Sequence, residues 1–364
     1  MSKQTALFEE HKKLNATIVD FGGWDMPVQY TSIIEEHNTT RNSVGLFDIS
    51  HMGELFVSGK QATELLQKAL SRDVIKPKKG KMVLAVICNE QGGILDDLTA
   101  YKFSEEKFMV VVNASNELKD FNWLKKIKEE NGFDAEVKNA SSEFSKLDLQ
   151  GPKSQELLQK IVDFDLNEIG FYEFKEGKLD GVNAVISRSG YTGEEGFELY
   201  FEWNKASQIW NKFMELGKEF GIKPIGLGAR DTLRVECAMN LYGNEMDETK
   251  TPLQARYSWV LDLEKDFIGK QAILKQKEKG IPGKLVGFEL IDKGIARHGY
   301  KIFKEGKELG EVTSGTLSPT LKKSLGLCYI KSDFAKTDTE IEIRIRDKKC
   351  KAKIVKIPFY KREK

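Results

Sequence analysis

Beyond Gly280-Ile-Pro-Gly283 the chain loses helical spacing, and that change of texture restricts its fold more than any other feature. Short β-branched and aromatic runs at 285–290, 301–303, 310–313, 325–330, 340–345 and 352–357 recur between turn signals, the pattern of a small all-β barrel or sandwich. Everything before it mixes strands with helices. Residues 83–88 read as a strand, Asn89-Glu-Gln-Gly-Gly93 as a turn, 94–103 as the returning strand and 108–112 as a third run. A helix over 117–130 places Leu118, Phe121, Leu124 and Ile127 on one face and stops at Gly132, and 62–70 carries helical spacing as well. Farther on, strands at 182–187 and 197–201 flank a glycine-rich turn. Asn204 is placed to cap a helix bearing Ile209, Trp210, Phe213 and Leu216, and another helix is expected over 227–241. The first fifty residues read as alternating helix-like and irregular stretches. The fold class is therefore α+β, closed by an all-β domain.

Composition removes several classes of function. Lys+Arg is 57 and Asp+Glu is 56, a net charge of +1, so the chain lacks the basic excess of a nucleic-acid coat. The most apolar run, 82–88, ends at Asn89, far below the ~20 residues of a membrane span. Residues 1–10 lack the apolar core of a signal peptide and are too acidic for a transit peptide. Cys88, Cys237, Cys328 and Cys350 are dispersed, with no Cys-x-x-Cys pair and no histidine at ligand spacing. They read as reduced thiols of a cytoplasmic protein and not as a metal site. With 364 residues the prior is two to three domains, and 40% hydrophobic residues suffice for their cores. Phosphate-loop, dinucleotide, nucleophile-elbow and His-Glu-x-x-His signatures do not occur.

Three polar clusters stand in apolar surroundings. In Gly92-Gly-Ile-Leu-Asp-Asp-Leu98 the period of a strand points Asp96 and Asp97 to opposite faces. Either one caps the turn while the other is solvated, or one carboxylate sits on the apolar face, where it needs partners or chemistry. Ser189-Gly-Tyr-Thr-Gly-Glu-Glu-Gly-Phe-Glu198 is a hairpin turn with solvated acids or a recognition loop for paired N–H donors. In Gly226-Leu-Gly-Ala-Arg-Asp-Thr-Leu-Arg-Val-Glu236, Arg230 and Arg234 share a helix face. They either hold an anion or form salt bridges within the helix. His51 is a lone histidine, structural or catalytic, and the basic run 76–81 is solvated surface or a docking patch.

These segments, taken with Val19-Asp-Phe-Gly-Gly-Trp-Asp-Met-Pro27, Gly45-Leu-Phe-Asp-Ile-Ser-His-Met-Gly-Glu54, Asn89-Glu-Gln-Gly-Gly-Ile-Leu-Asp-Asp97, Gly190-Tyr-Thr-Gly-Glu-Glu-Gly-Phe-Glu198 and Thr313-Ser-Gly-Thr-Leu-Ser-Pro319, resemble the T-protein family of the glycine cleavage system. That family comprises tetrahydrofolate-dependent aminomethyltransferases, and the motifs run in its order along essentially the whole chain.

The resemblance implies a three-domain cloverleaf around a central folate channel. Residues 1–52 and 142–275 would form a discontinuous α+β domain, 53–141 a second α+β domain, and 280–364 a C-terminal β-barrel. It implies transfer of a one-carbon unit from the aminomethyl-dihydrolipoyl arm of the H protein to tetrahydrofolate, by a monomer that uses no metal and touches neither nucleic acid nor membrane. It carries the catalytic aspartate onto Asp96 and the folate-binding acid onto Glu198. Arg230, Asn113 and Tyr360 follow as further folate-side residues. Leu84 departs from the family, which has a tyrosine before the Asn-Glu-x-Gly-Gly turn. Relatives with the same fold include folate-dependent demethylase domains and a non-enzymatic iron–sulfur maintenance group. The latter carries a cysteine where this chain has Ser189-Gly-Tyr-Thr-Gly-Glu194.

Overall fold

The six β runs of the C-terminal quarter close on one another. In the computed structural model, which describes residues 2–362, they form an antiparallel barrel in the order Gly283–Leu290, Ser324–Lys331, Lys307–Leu317, Lys301–Lys304, Glu340–Ile345, Lys348–Val355. Alternate residues (Val286, Phe288, Leu290; Ile341, Ile343; Ala352, Ile354) fill its interior, as strand periodicity requires. The sequence left barrel and sandwich open, and closure decides for the barrel.

Two compact units divide the chain. The first gathers residues up to Ala69 with Asp73–Ala85 and Leu98–Arg230; the second gathers Leu70–Arg72, Val86–Asp97 and the chain from Asp231 onward, including the barrel.

The first unit holds most of two larger sheets, beside the small three-stranded sheet Lys3–Gln4, Trp24–Gln29, Thr17–Phe21. One has six strands in the order Phe174–Leu179, Val182–Ser187, Gly196–Glu202, Phe144–Gln150, Gly45–Asp48, Lys223–Ile225. Leu147, Leu149, Phe197, Leu199 and Phe201 project from one face of it into a core shared with Trp210 and Phe213 of the helix Ala206–Leu216. The other sheet runs in the order Met82–Cys88, Ile94–Ser104, Lys107–Val112, Gly53–Ser58, Glu136–Asn139, and residues 86–88 and 94–97 of its first two strands belong to the second unit. A second cluster, Tyr101, Phe103, Met109 and Val111 with Phe174 and Tyr200, packs this sheet against the other face of the first. Burial of that second face places the site.

Several expectations need correction. The helix beginning at Leu227 ends at Glu236, because Ala238 adopts φ +53 and the carbonyls of Arg234 and Val235 are closed by the N–H groups of Met239 and Ala238. Asn204 does not cap the next helix: it lies in the short 3-10 turn Trp203–Lys205, and Lys205 precedes the helix without a side-chain cap. Leu118 is 62% exposed, and the buried stripe of the helix Glu117–Asn131 is Asp120, Leu124 and Ile127. Thr17–Phe21 and Trp24–Gln29 pair as a hairpin where irregular chain was expected. Among the described residues no helix is long and apolar enough to cross a membrane.

Candidate active site

The strands Phe144–Gln150 and Gly196–Glu202 pair antiparallel with Lys146 opposite Tyr200, Asp148 opposite Glu198 and Gln150 opposite Gly196. Their apolar residues take the core face, so every one of these polar side chains points the other way. On an open sheet that face would be wet. Here the second sheet covers it, and Lys146, Asp148, Gln150 and Tyr200 are all at most 2% exposed. Gly196 is required by the pairing: a Cβ there would lie 2.0 Å from the Gln150 amide.

Unlike Lys146, Asp148, Gln150 and Tyr200, Glu198 reaches the surface, at 17% exposure. Its Oε2 accepts from the hydroxyls of Tyr101 (3.1 Å), Tyr200 (3.1 Å) and Ser189 (3.0 Å). Burial, and then the Glu198 charge, hold both tyrosines well above their ordinary pKa, so they are neutral donors. Oε1 has no hydrogen-bond partner among the described residues; the nearest cation is Lys146 Nζ at 3.8 Å. A carboxylate fixed through one oxygen and open at the other can accept a further pair of N–H donors.

Two more acids lie in the same buried group. Asp148 accepts from the Gln150 amide at 2.6 Å, and burial, reinforced by Glu198, raises its pKa well above the carboxylate range. Glu54, on the strand Gly53–Ser58, is 1% exposed with no hydrogen-bond partner at Oε1. Burial pushes its pKa up to about 8, with Glu117 and Glu198 adding to the rise and Lys146 opposing it. His51 is buried with its ring edge-on to Phe21 (5.5 Å), and burial, with the charges of Arg230 and Lys146, lowers its pKa to about 3. It is a neutral imidazole at pH 7.

Arg230, in the first turn of the helix Leu227–Glu236, lies 4.6 Å over the ring of Tyr191, and among the described residues it makes no ion pair and its buried Nε has no hydrogen-bond partner. Arg234 is committed to structure. It pairs with Glu245 (2.7 Å) and Asp231 (2.8 Å) and donates to Ser314 (2.7 Å). The motif 313–319 is thereby explained within the second unit: Ser314 donates to Glu245 (2.6 Å), and Ser318 hydrogen-bonds Glu236. The two arginines read together in the sequence thus have different tasks.

Asp96 lies in the second unit. It is fully buried and shares its strand face with Ile94, Leu98 and Ala100, while Asp97 is half-buried and accepts from Tyr257 (3.3 Å). The turn before it is fixed by Asn89, whose Oδ1 accepts from Gly93 N–H (2.9 Å), and by Ile94 N–H donating to the Lys250 carbonyl (2.9 Å). A Cβ on Gly93 would meet the Glu248 carbonyl at 1.8 Å, so no other residue fits. Tyr360, half-buried in the same unit, donates its N–H to the Glu236 carbonyl (2.9 Å). In the first unit Asn113 follows the strand Lys107–Val112 and precedes a 3-10 turn, and Leu84 is half-buried on its strand.

The sequence singled out Glu198 and Arg230 but not Lys146, Asp148, Glu54, Tyr101 or Tyr200. Among the described residues no group of three His, Cys, Asp or Glu side chains is placed to hold a metal.

Residues 7–265 match the family description "GCVT N-terminal domain" and residues 284–361 match "Glycine cleavage T-protein C-terminal barrel domain". An aminomethyltransferase of Thermosipho melanesiensis is 51% identical over 360 residues, covering 99% of this chain and 97% of the relative. One from a Thermoanaerobacter species is 49% identical over 362 residues, covering 99% and 98%. The crystal structure of glycine cleavage system aminomethyltransferase T from Bartonella henselae superposes with a TM-score of 0.93 at 34% identity, covering 99% of this chain and 98% of that one.

Proposed function

The chain belongs to the glycine cleavage T-protein family and is an aminomethyltransferase, and from that premise we propose how its residues divide the work. The family acts with tetrahydrofolate and the H protein. The reaction moves the one-carbon unit of the aminomethyl group on the H protein's dihydrolipoyl arm to tetrahydrofolate, giving 5,10-methylenetetrahydrofolate, ammonia and the dihydrolipoyl arm as the free dithiol.

Glu198 binds the pterin. The observation that carries this reading is its asymmetric carboxylate, with three neutral hydroxyls on Oε2 and none on Oε1. Such a group suits the adjacent N3–H and 2-amino donors of a pterin as a two-pronged, charge-assisted contact. Arg230 faces the same ligand. Its unpartnered Nε and its stacking on Tyr191 are what an arginine reserved for a ligand retains. Asn113 and Tyr360 add folate-side contacts.

Asp96 is the catalytic acid–base group. Bound tetrahydrofolate supplies the accepting nitrogen. Asp96, a carboxylate on the apolar face of a strand, stabilises positive charge that develops on carbon as the S–CH2–N unit breaks. It also accepts, directly or through water, the proton that the folate nitrogen loses. Leu84, an alkyl group where relatives carry a phenol, removes one polar contact near the folate.

The three-domain division is proposed with this reading, and sheet membership supports it. Every strand of the five-stranded sheet falls in 53–141, every strand of the six-stranded sheet in 1–52 or 142–275, and every barrel strand in 280–364.

The test is formation of 5,10-methylenetetrahydrofolate from tetrahydrofolate and aminomethylated H protein, run beside Asp96→Asn. Turnover that collapses in the variant is expected. Unchanged turnover in Asp96→Asn removes that residue from the mechanism, and folate binding without turnover on the H protein turns the reading to a demethylase of a free small molecule.

A further inference from the structure

Lys146 is out of place by ordinary rules. Its side chain is 2% exposed, yet among the described residues its ammonium reaches no oxygen at hydrogen-bond distance. It lies 3.6 Å from Met52 Sδ, 3.8 Å from Glu198 Oε1 and 4.8 Å from the Tyr200 ring centroid. A buried ammonium with so weak a shell persists only where its charge is used. Three acids surround it: Glu198, Asp148 and Glu54. One lysine cannot keep three buried carboxylates ionised. Glu198 alone has three hydroxyls donating to it, whereas Asp148 has one amide and Glu54 has nothing at Oε1. The negative charge therefore settles on Glu198, and its Oε1, the oxygen open to a ligand, is the one beside Lys146.

We propose that Lys146 is a positioning residue for tetrahydrofolate: its ammonium holds Glu198 as the single ionised acid of the buried group, so that Glu198 can accept both pterin N–H donors. This rests on the assignment of Glu198 to the pterin. The other charged and titratable groups around the pair are His51, Glu54, Glu117, Asp148, Tyr101 and Tyr200, with Arg230 from the helix Leu227–Glu236. Glu54, with its pKa pushed up to about 8, keeps its proton at pH 7, and burial with the Glu198 charge pushes Asp148 in the same direction. Loss of a neighbouring opposite charge raises a carboxyl pKa by roughly one to three. Without Lys146 the ionised form of Glu198 loses the opposite charge that favours it, and a protonated acid would offer a donor where the pterin presents donors.

The experiment titrates tetrahydrofolate binding in the parent chain, Lys146→Met, Lys146→Arg, Glu198→Gln and the Met/Gln double variant at pH 6.0, 7.0 and 8.0. Lys146→Met should weaken binding several-fold or more at pH 6.0, because the ligand must then displace a proton from Glu198, and each unit by which a carboxyl pKa stands above the pH costs about tenfold. The deficit should narrow toward pH 8.0 as Glu198 ionises, and Lys146→Arg should restore affinity. In the Glu198→Gln background the Lys146→Met change should have no further effect. A loss that is independent of pH and survives in the Gln background overturns the proposal, as does unchanged affinity. If Glu198→Gln binds tetrahydrofolate as the parent does, the pterin assignment itself has failed. Calorimetry of the unsubstituted chain in buffers of differing ionisation enthalpy gives a reading independent of how any variant folds. At pH 6.5 binding should exchange essentially no proton, and release of about one proton would overturn the proposal.

Discussion

Replacing Glu54 by Gln should stabilise the protein, and by an amount set by pH. The folded carboxyl has a pKa of about 8 against an ordinary value of 4.5, because it is buried with Oε1 unpartnered and Glu117 and Glu198 nearby. Between those two values the unfolded chain has lost the proton that the folded chain retains. Stability therefore falls as pH rises, by about 1.4 kcal/mol per pH unit. The accumulated penalty is absent below pH 4.5, about 3 kcal/mol at pH 7, and levels off at about 5 kcal/mol above pH 8. Gln has the shape of the protonated acid and no such titration. Guanidinium unfolding of the parent and Glu54→Gln at pH 5.0, 7.0 and 8.5 reads the difference directly, and the variant's advantage should grow across the series. A constant difference would refute the reasoning. So would a variant less stable than the parent at pH 8.5, since that result means an ionised Glu54 supported by Lys146.

The other expectations follow from single contacts. Asp96→Asn should lower turnover by roughly 10²–10⁴, the range for a positioned acid or base, while tetrahydrofolate affinity stays close to that of the parent; a parallel loss of affinity would make Asp96 a binding residue instead. Glu198→Ala should weaken tetrahydrofolate by about 1.5–3 kcal/mol, the scale of a hydrogen bond to a charged group, measured by direct titration. Equal affinity would remove it from the pterin contact. Arg234→Met strands Glu245, which is fully buried, and should destabilise the protein by about 3–5 kcal/mol in denaturant unfolding; a change under about 1 kcal/mol would mean that Ser314 and the Leu241 N–H suffice to hold that carboxylate.

Elements whose local pattern agreed with their surroundings were legible. All six barrel strands, the hairpin around Asn89–Gly93 and the helix stopping at Gly132 were found from periodicity and turn chemistry. Where tertiary contacts override local preference, reading failed. Residues 227–241 have helical spacing throughout, but the hydrogen bonds that turn the chain back at Ala238 end the helix at Glu236. The hairpin Thr17–Gln29 was hidden because Gly22 and Gly23 look like loop until their partner strands are known. For Asp96 the alternation rule was enough to say that at most one of two neighbouring acids faces inward, and burial shows that Asp96 does.

The site was half legible for a more particular reason. Lys146-Leu-Asp-Leu-Gln150 alternates polar with apolar, and alternation of that kind means a strand with one wet face. The inference is right about Leu147 and Leu149 and wrong about the water, since Tyr101 and its sheet cover the polar face. That cover depends on contacts between residues about a hundred positions apart, such as Tyr101 with Tyr200, rings 5.4 Å apart. No local window contains them. Once the face is covered, each polar residue on it must be neutral, hydrogen-bonded or matched in charge. Asp148 and the tyrosines meet the first two conditions, and Glu198 with Lys146 meets the third. The pair left charged is the one at the edge that a ligand can reach, so the electrostatics of the fold single out Glu198 without reference to any family motif.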